Sequence, residues 1–156
     1  MVAAVTTGGN QFQAVVGPAG SGKTAALDVA ARIWEQTGRR PLGASVTGTA
    51  TEVLEEATFI PTRTVASLLA ELGVGGEPFT PTTVLIVDEA STLSNRDHHA
   101  LVHAIGAAGA RMVVTIGDPA QHRAVEAGGL WAHLVDTLGD RVPARFGRCR
   151  RSSRPS

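Results

Sequence analysis

A chain of 156 residues, 43% hydrophobic and 18% charged, has room for one globular domain of ordinary size and does not have the composition of a disordered or fibrous protein. Its formal net charge is zero, so no global field draws it toward nucleic acid or a membrane surface. That zero averages two unlike parts: residues 1–140 carry 8 Lys/Arg against 14 Asp/Glu, and residues 141–156 carry six Arg and no acid.

The first element in chain order is a short strand, Phe12–Val16, read from an apolar run with the look of a strand buried on both faces. It runs straight into Gly17-Pro18-Ala19-Gly20-Ser21-Gly22-Lys23-Thr24, a full match to the phosphate-loop pattern G-x-x-x-x-G-K-[ST] between a strand and a helix. Gly17, Gly20 and Gly22 permit a backbone that curls its N–H groups around an anion, and the next helix turns its positive end to the same place. Lys23 is suited to the β- and γ-phosphates, and the Thr24 hydroxyl to Mg²⁺. Lys23 is also the only lysine among the 14 basic residues, kept where a guanidinium is too broad. The pattern predicts a nucleoside triphosphate, ATP with Mg²⁺, as ligand.

A helix over Ala25–Gln36 follows, with Ala26, Val29, Ala30 and Ile33 on one stripe and Gly38 as its stop. Leu42–Val46 is the second strand. Thr51–Ala57 and Thr64–Leu72 read as helices separated by Ile60-Pro61, and Gly73–Pro81 as a surface loop. The third strand, Val84–Val87, closes on Asp88-Glu89, which places two carboxylates at the C-terminal edge of a parallel sheet. Asp88 is expected to hold Mg²⁺ through water or Thr24, and Glu89 to orient and deprotonate the attacking water. A helix over His98–Ala108 opens behind Ser94-Asn95 or Asp97, with His98, His99 and His103 expected on its surface. The fourth strand, Met112–Ile116, leads into Gly117-Asp118-Pro119-Ala120-Gln121, where Gln121 is suited to contact the γ-phosphate or the water before it. A last helix, Gly129–Leu138, ends at Gly139, and residues 141–156 are expected as a basic, disordered tail. Trp34 and Trp131 fall on apolar stripes and are expected in the core.

Strands alternating with helices predict an α/β, three-layer domain over residues 1–140, its mostly parallel sheet covered by helices on both faces. Cys149, the single cysteine, excludes an intramolecular disulfide and fits a reducing compartment. Met1–Gly9 lacks the features of a signal peptide, and no run approaches the roughly 18 apolar residues of a membrane span. A cytoplasmic protein is the expectation.

Taken together, GPAGSGKT (17–24), VLIVDEAST (84–92) and IGDPAQHRAVEAGG (116–129) resemble superfamily 1 DNA helicases, with the nearest likeness to RecD-like helicase domains, including those of conjugative relaxases. ASVTGTATEVL (44–54) and TRTVASLL (62–69) are weaker echoes of the same family. The resemblance covers about residues 10–135 and implies the first RecA-like domain of a P-loop ATPase motor. Within such a motor it implies catalytic roles for Lys23, Glu89 and Gln121, the last coupling the γ-phosphate to domain movement. It also implies that Thr47 and Thr64 lie beside a single-stranded DNA track. Relatives read adenine with a glutamine-containing segment upstream of the first strand; here Gln11 and Gln13 stand inside or beside the strand instead. The motifs of a second RecA-like domain, which supply an arginine to the phosphate, have no counterpart. The chain therefore reads as one motor domain, isolated or truncated, expected to hydrolyse ATP weakly and not to unwind alone. Two other readings stay open: a nucleotide-binding module without turnover, and a small-molecule P-loop kinase.

Overall fold

The computed structural model describes Thr6, residues 11–16, residues 22–116 and the pair 144–145. In chain order these form β1 (Phe12–Val16), α1 (Lys23–Gln36), β2 (Arg40–Ser45), α2 (Gly48–Thr58), β3 (Thr62–Thr64), α3 (Val65–Gly73), β4 (Thr83–Val87), a 3₁₀ turn (Ala90–Thr92), α4 (Asn95–Ala108), β5 (Arg111–Ile116) and β6 (Ala144–Arg145). The long helices have chemical boundaries at Ser94 and Gly38. Ser94 caps α4, its hydroxyl accepting from the Asp97 N–H at 3.1 Å. Gly38 (φ 77°) ends α1 in the left-handed region, with Arg39 N–H donating to the Trp34 carbonyl and Gly38 N–H to that of Glu35.

The six strands lie in the order β3-β2-β4-β5-β1-β6. Every pairing is parallel, so each strand must return through a crossover. β4 sits between β2 and β5 and is buried along its whole length. Its residues alternate between two cores. Val84 and Ile86 join Val15, Val113, Ile60 and the Leu27, Ala30, Ala31 and Trp34 stripe of α1. Leu85 and Val87 join Met112, Leu68 of α3 and Leu101 and Ile105 of α4 on the other face. This is the three-layer α/β sandwich predicted above, and Trp34 is in its core as expected. Trp131 and the predicted helix Gly129–Leu138 lie outside the described residues. Among the described residues no helix is long and apolar enough to cross a membrane.

The inward stripe of α1 is Leu27, Ala30, Ala31 and Trp34 rather than the expected one, and Val29 lies exposed. Three further details differ from expectation. β3 is an additional strand of three residues, drawn beside β2 because Gly43 faces it: a Cβ at Gly43 would lie 2.3 Å from the Thr62 hydroxyl. β6 pairs with Val15 and Val16, so the sheet extends into the segment expected as a tail. Two or three residues are too few to show a period of two, and so neither strand has a sequence signal. His98 is the third correction. It is 1% exposed and faces inward with Leu101 and Ile105, while His99 and His103 are exposed. Its apolar surroundings lower its pKa to about 4, against the opposing pull of Asp97.

Candidate active site

Because all strands run parallel, the turns that leave their C-terminal ends share one edge of the sheet. β1 ends at that edge with Val16, directly before the phosphate-loop sequence. Residues 17–21 of the loop lie outside the described residues, and Gly22, Lys23 and Thr24 are described. Gly22 adopts φ 80°, ψ 19°, a conformation that a side chain would strain, and its carbonyl accepts the first helical bond of α1 from Ala26 at 3.1 Å. As a glycine it offers no side chain to cap the helix. Lys23 is the first residue of α1, and Thr24 stands exposed beside it.

β5 lies between β1 and β4, and Asp88 follows β4 at the same edge. The Asp88 N–H donates to the Ala44 carbonyl of β2 at 3.0 Å, which continues the strand pairing by one residue. Its half-buried carboxylate accepts at Oδ1 from the Thr115 hydroxyl of β5. The Glu89 N–H donates to that same hydroxyl oxygen at 3.2 Å. Glu89 itself is in the left-handed region (φ 50°, ψ 44°), and its carbonyl accepts from the Thr92 N–H and hydroxyl at 2.9 and 2.8 Å. Two neighbouring strand residues would point to opposite faces. The left-handed turn at Glu89 breaks that alternation and leaves its side chain exposed.

Thr115 went unnoticed in the sequence. A hydroxyl inside the apolar strand RMVVTI must find a partner once buried, and that was the signal available. Thr47 stands two residues after β2 and Thr64 is the last residue of the adjacent β3, and each caps the helix that follows. Thr47 accepts from Ala50 N–H and Thr64 from Ser67 N–H, both at 3.2 Å. Gln121 lies outside the described residues. Gln11 is used structurally, its side-chain amide donating to the Ile105 carbonyl of α4 at 3.3 Å. A groove of about 1210 Å³ between α3 and α4 contains none of these site residues.

A family model described as an AAA domain matches residues 1–149. The chain belongs to this AAA-domain family, in its RecD-like superfamily 1 helicase branch. This RecD-like domain is 34% identical over 132 residues to a probable conjugal transfer protein TraA of Sinorhizobium fredii (strain NBRC 101917 / NGR234). It is 35% identical over 129 residues to the conjugal transfer protein TraA of Agrobacterium fabrum (strain C58 / ATCC 33970). Those alignments cover 85% and 83% of this chain, and the chain spans only 12% of either relative. The fold also resembles AMPPCP-bound DnaA from Aquifex aeolicus, with a TM-score of 0.52 and 14% identity over 82% of this chain and 38% of that one. The RecD-like domain is thus an AAA-type P-loop NTPase by family and by fold.

Proposed function

We propose that this domain binds ATP with Mg²⁺ at the C-terminal edge of β1, β5 and β4, and hydrolyses it as the first motor domain of a DNA helicase. The observation that carries the reading is the Asp88–Glu89 turn. It stands one strand away from the phosphate loop, on the same edge, and β5 lies between the two. In this reading Gly17, Pro18, Ala19, Gly20, Ser21 and Gly22 wrap the phosphates with backbone N–H groups, and Lys23 sets its ammonium against the β- and γ-phosphates. Thr24 and Asp88 offer a hydroxyl and a carboxylate, the hard oxygen donors that suit Mg²⁺. When bound, the ion supplies charge neutralisation across the phosphate oxygens.

Glu89 is the general base. Its exposed carboxylate takes a proton from the water that attacks the γ-phosphorus, and the bond to the β–γ bridging oxygen breaks, leaving ADP and phosphate. Gln121 contacts the γ-phosphate or that water. Thr47 and Thr64, at the ends of β2 and β3, contact single-stranded DNA. Each hydroxyl accepts from its own helix and keeps its proton to donate to a phosphate or sugar oxygen. The relatives' printed role in conjugal transfer and the family's helicase character support a DNA partner and a larger parent protein for this domain.

Titration with a fluorescent ATP analogue tests the assignment. Lys23→Ala is expected to raise the Kd at least tenfold, because the lost contact is charge-assisted and worth about 1.5–3 kcal/mol, where about 1.4 kcal/mol is a decade. Unchanged affinity would refute the phosphate loop as the binding site.

A further inference from the structure

Thr115 is fully buried (0% exposed) at a point where three strands meet. Its register partner on β1 is Val15, two residues before the phosphate loop. On its other side it follows Val114, the partner of Val87, and so stands opposite Asp88. One hydroxyl group serves both members of the acidic pair, donating to the Asp88 carboxylate and accepting from the Glu89 amide. A threonine hydroxyl has one proton and two lone pairs, and this arrangement uses the proton and one lone pair in opposite directions.

We propose that Thr115 is a positioning residue for the metal-dependent step. It fixes the rotation of the Asp88 carboxylate and pins the left-handed turn that presents Glu89. The inference rests on the reading of this edge as a Mg²⁺·ATP site and assigns Thr115 no contact with nucleotide or metal. The donated bond commits one carboxylate oxygen to the protein and thereby sets the plane of the other. The accepted bond holds the amide of a residue whose backbone, at φ 50°, lies in a region that non-glycine residues seldom occupy. Without the hydroxyl, the Asp88 carboxylate can rotate and the Glu89 turn can relax toward φ < 0. The Asp88 N–H already donates to the Ala44 carbonyl and so is committed to the strand pairing.

The test is titration of a non-hydrolysable fluorescent ATP analogue, once with Mg²⁺ and once with EDTA, on the full chain and on Thr115→Val, Thr115→Ser and Lys23→Ala. Thr115→Val keeps the shape and removes the hydroxyl. It is expected to weaken binding about tenfold with Mg²⁺ and to change it little in EDTA, the loss expected for a charge-assisted hydrogen bond. Thr115→Ser keeps the hydroxyl and restores the Mg²⁺ effect. If Thr115→Val does not fold, Thr115→Ala is read in its place against the serine variant. Equal affinities for the valine and parent chains in Mg²⁺ overturn the proposal, as does an equal loss with and without the ion. A parent chain that does not bind the analogue, or that Lys23→Ala leaves unaffected, instead overturns the reading of the site itself.

Discussion

Among the described residues, the turns at the ends of β2, β3 and β4 leave the same edge of the sheet, and they are held in two different ways. The turns at the ends of β2 and β3 carry local caps: Thr47 and Thr64 each accept an amide three residues ahead. The turn after β4 takes its decisive bonds from Thr115, 26 and 27 residues further along the chain. The first kind forms wherever its helix forms. The second exists only when β4 and β5 pair in register, so the geometry of the acidic pair reports the state of the sheet. A strained left-handed glutamate is tolerable in such a turn because the surroundings over-determine it.

Breaking the chemistry of the distantly held turn should give the largest effect. Glu89→Gln keeps the backbone bonds to Thr115 and Thr92 but removes the base, so Mg²⁺·ATP binding should persist while hydrolysis falls by about 10²–10⁴-fold. Phosphate release measured at saturating ATP checks this, and an unchanged rate would leave Glu89 with a structural role only.

His98 offers a smaller effect from the helix that follows the same turn. Folded, it takes up its proton near pH 4, whereas the unfolded chain does so near 6.5. The stability gained by burying neutral imidazole is therefore full above pH 6.5 and is lost as pH falls from there through 4. The loss amounts to roughly 3 kcal/mol. Urea unfolding at pH 7.5, 5.5 and 4.5 should show this slope, and His98→Leu should flatten it. An equal slope in both proteins would assign the acid sensitivity elsewhere.

The locally closed turns should give the smallest effects. Thr47→Ala and Thr64→Ala should each cost about 1 kcal/mol of stability. Their costs should add to within about 0.5 kcal/mol in the double variant. Denaturant midpoints of the two single variants and the double test this. A coupling well above that margin would show that these turns, too, depend on each other through the β2–β3 pair.

Much of this was legible in the sequence because local chemistry carries it. The β1 limits follow from FQAVV alone and the end of α1 from Gly38, while Ser94 is one of the candidates the sequence leaves open for the cap of α4, which begins three residues before the expected His98. Asp88 and Glu89 could be placed at the right edge because an apolar run ends on them and parallel strands share their ends. What escaped was non-local or too short to be periodic. β3 exists because Gly43 admits Thr62, a fact about two segments 19 residues apart. Thr115 acts on residues it meets only in the folded sheet. His98 was misjudged for a different reason: its spacing with Leu101 and Ile105 already marked the buried stripe, and its polarity outweighed that pattern.

The strand order has a consequence for how the molecule comes into being. Pairing β2 with β3 closes a short segment, Gly43 against Thr62, and needs little search. Pairing β1 with β5 joins Phe12 to Met112 and closes nearly the whole described chain. Contacts of such separation form late and slowly. The part of the sheet that holds the acidic pair depends on that long closure, and among the described pairings only β1 with β6, Val15 against Ala144, spans more chain. A chain with this topology is expected to form its helices and its β2–β3 corner before the sheet edge that carries Asp88 and Glu89.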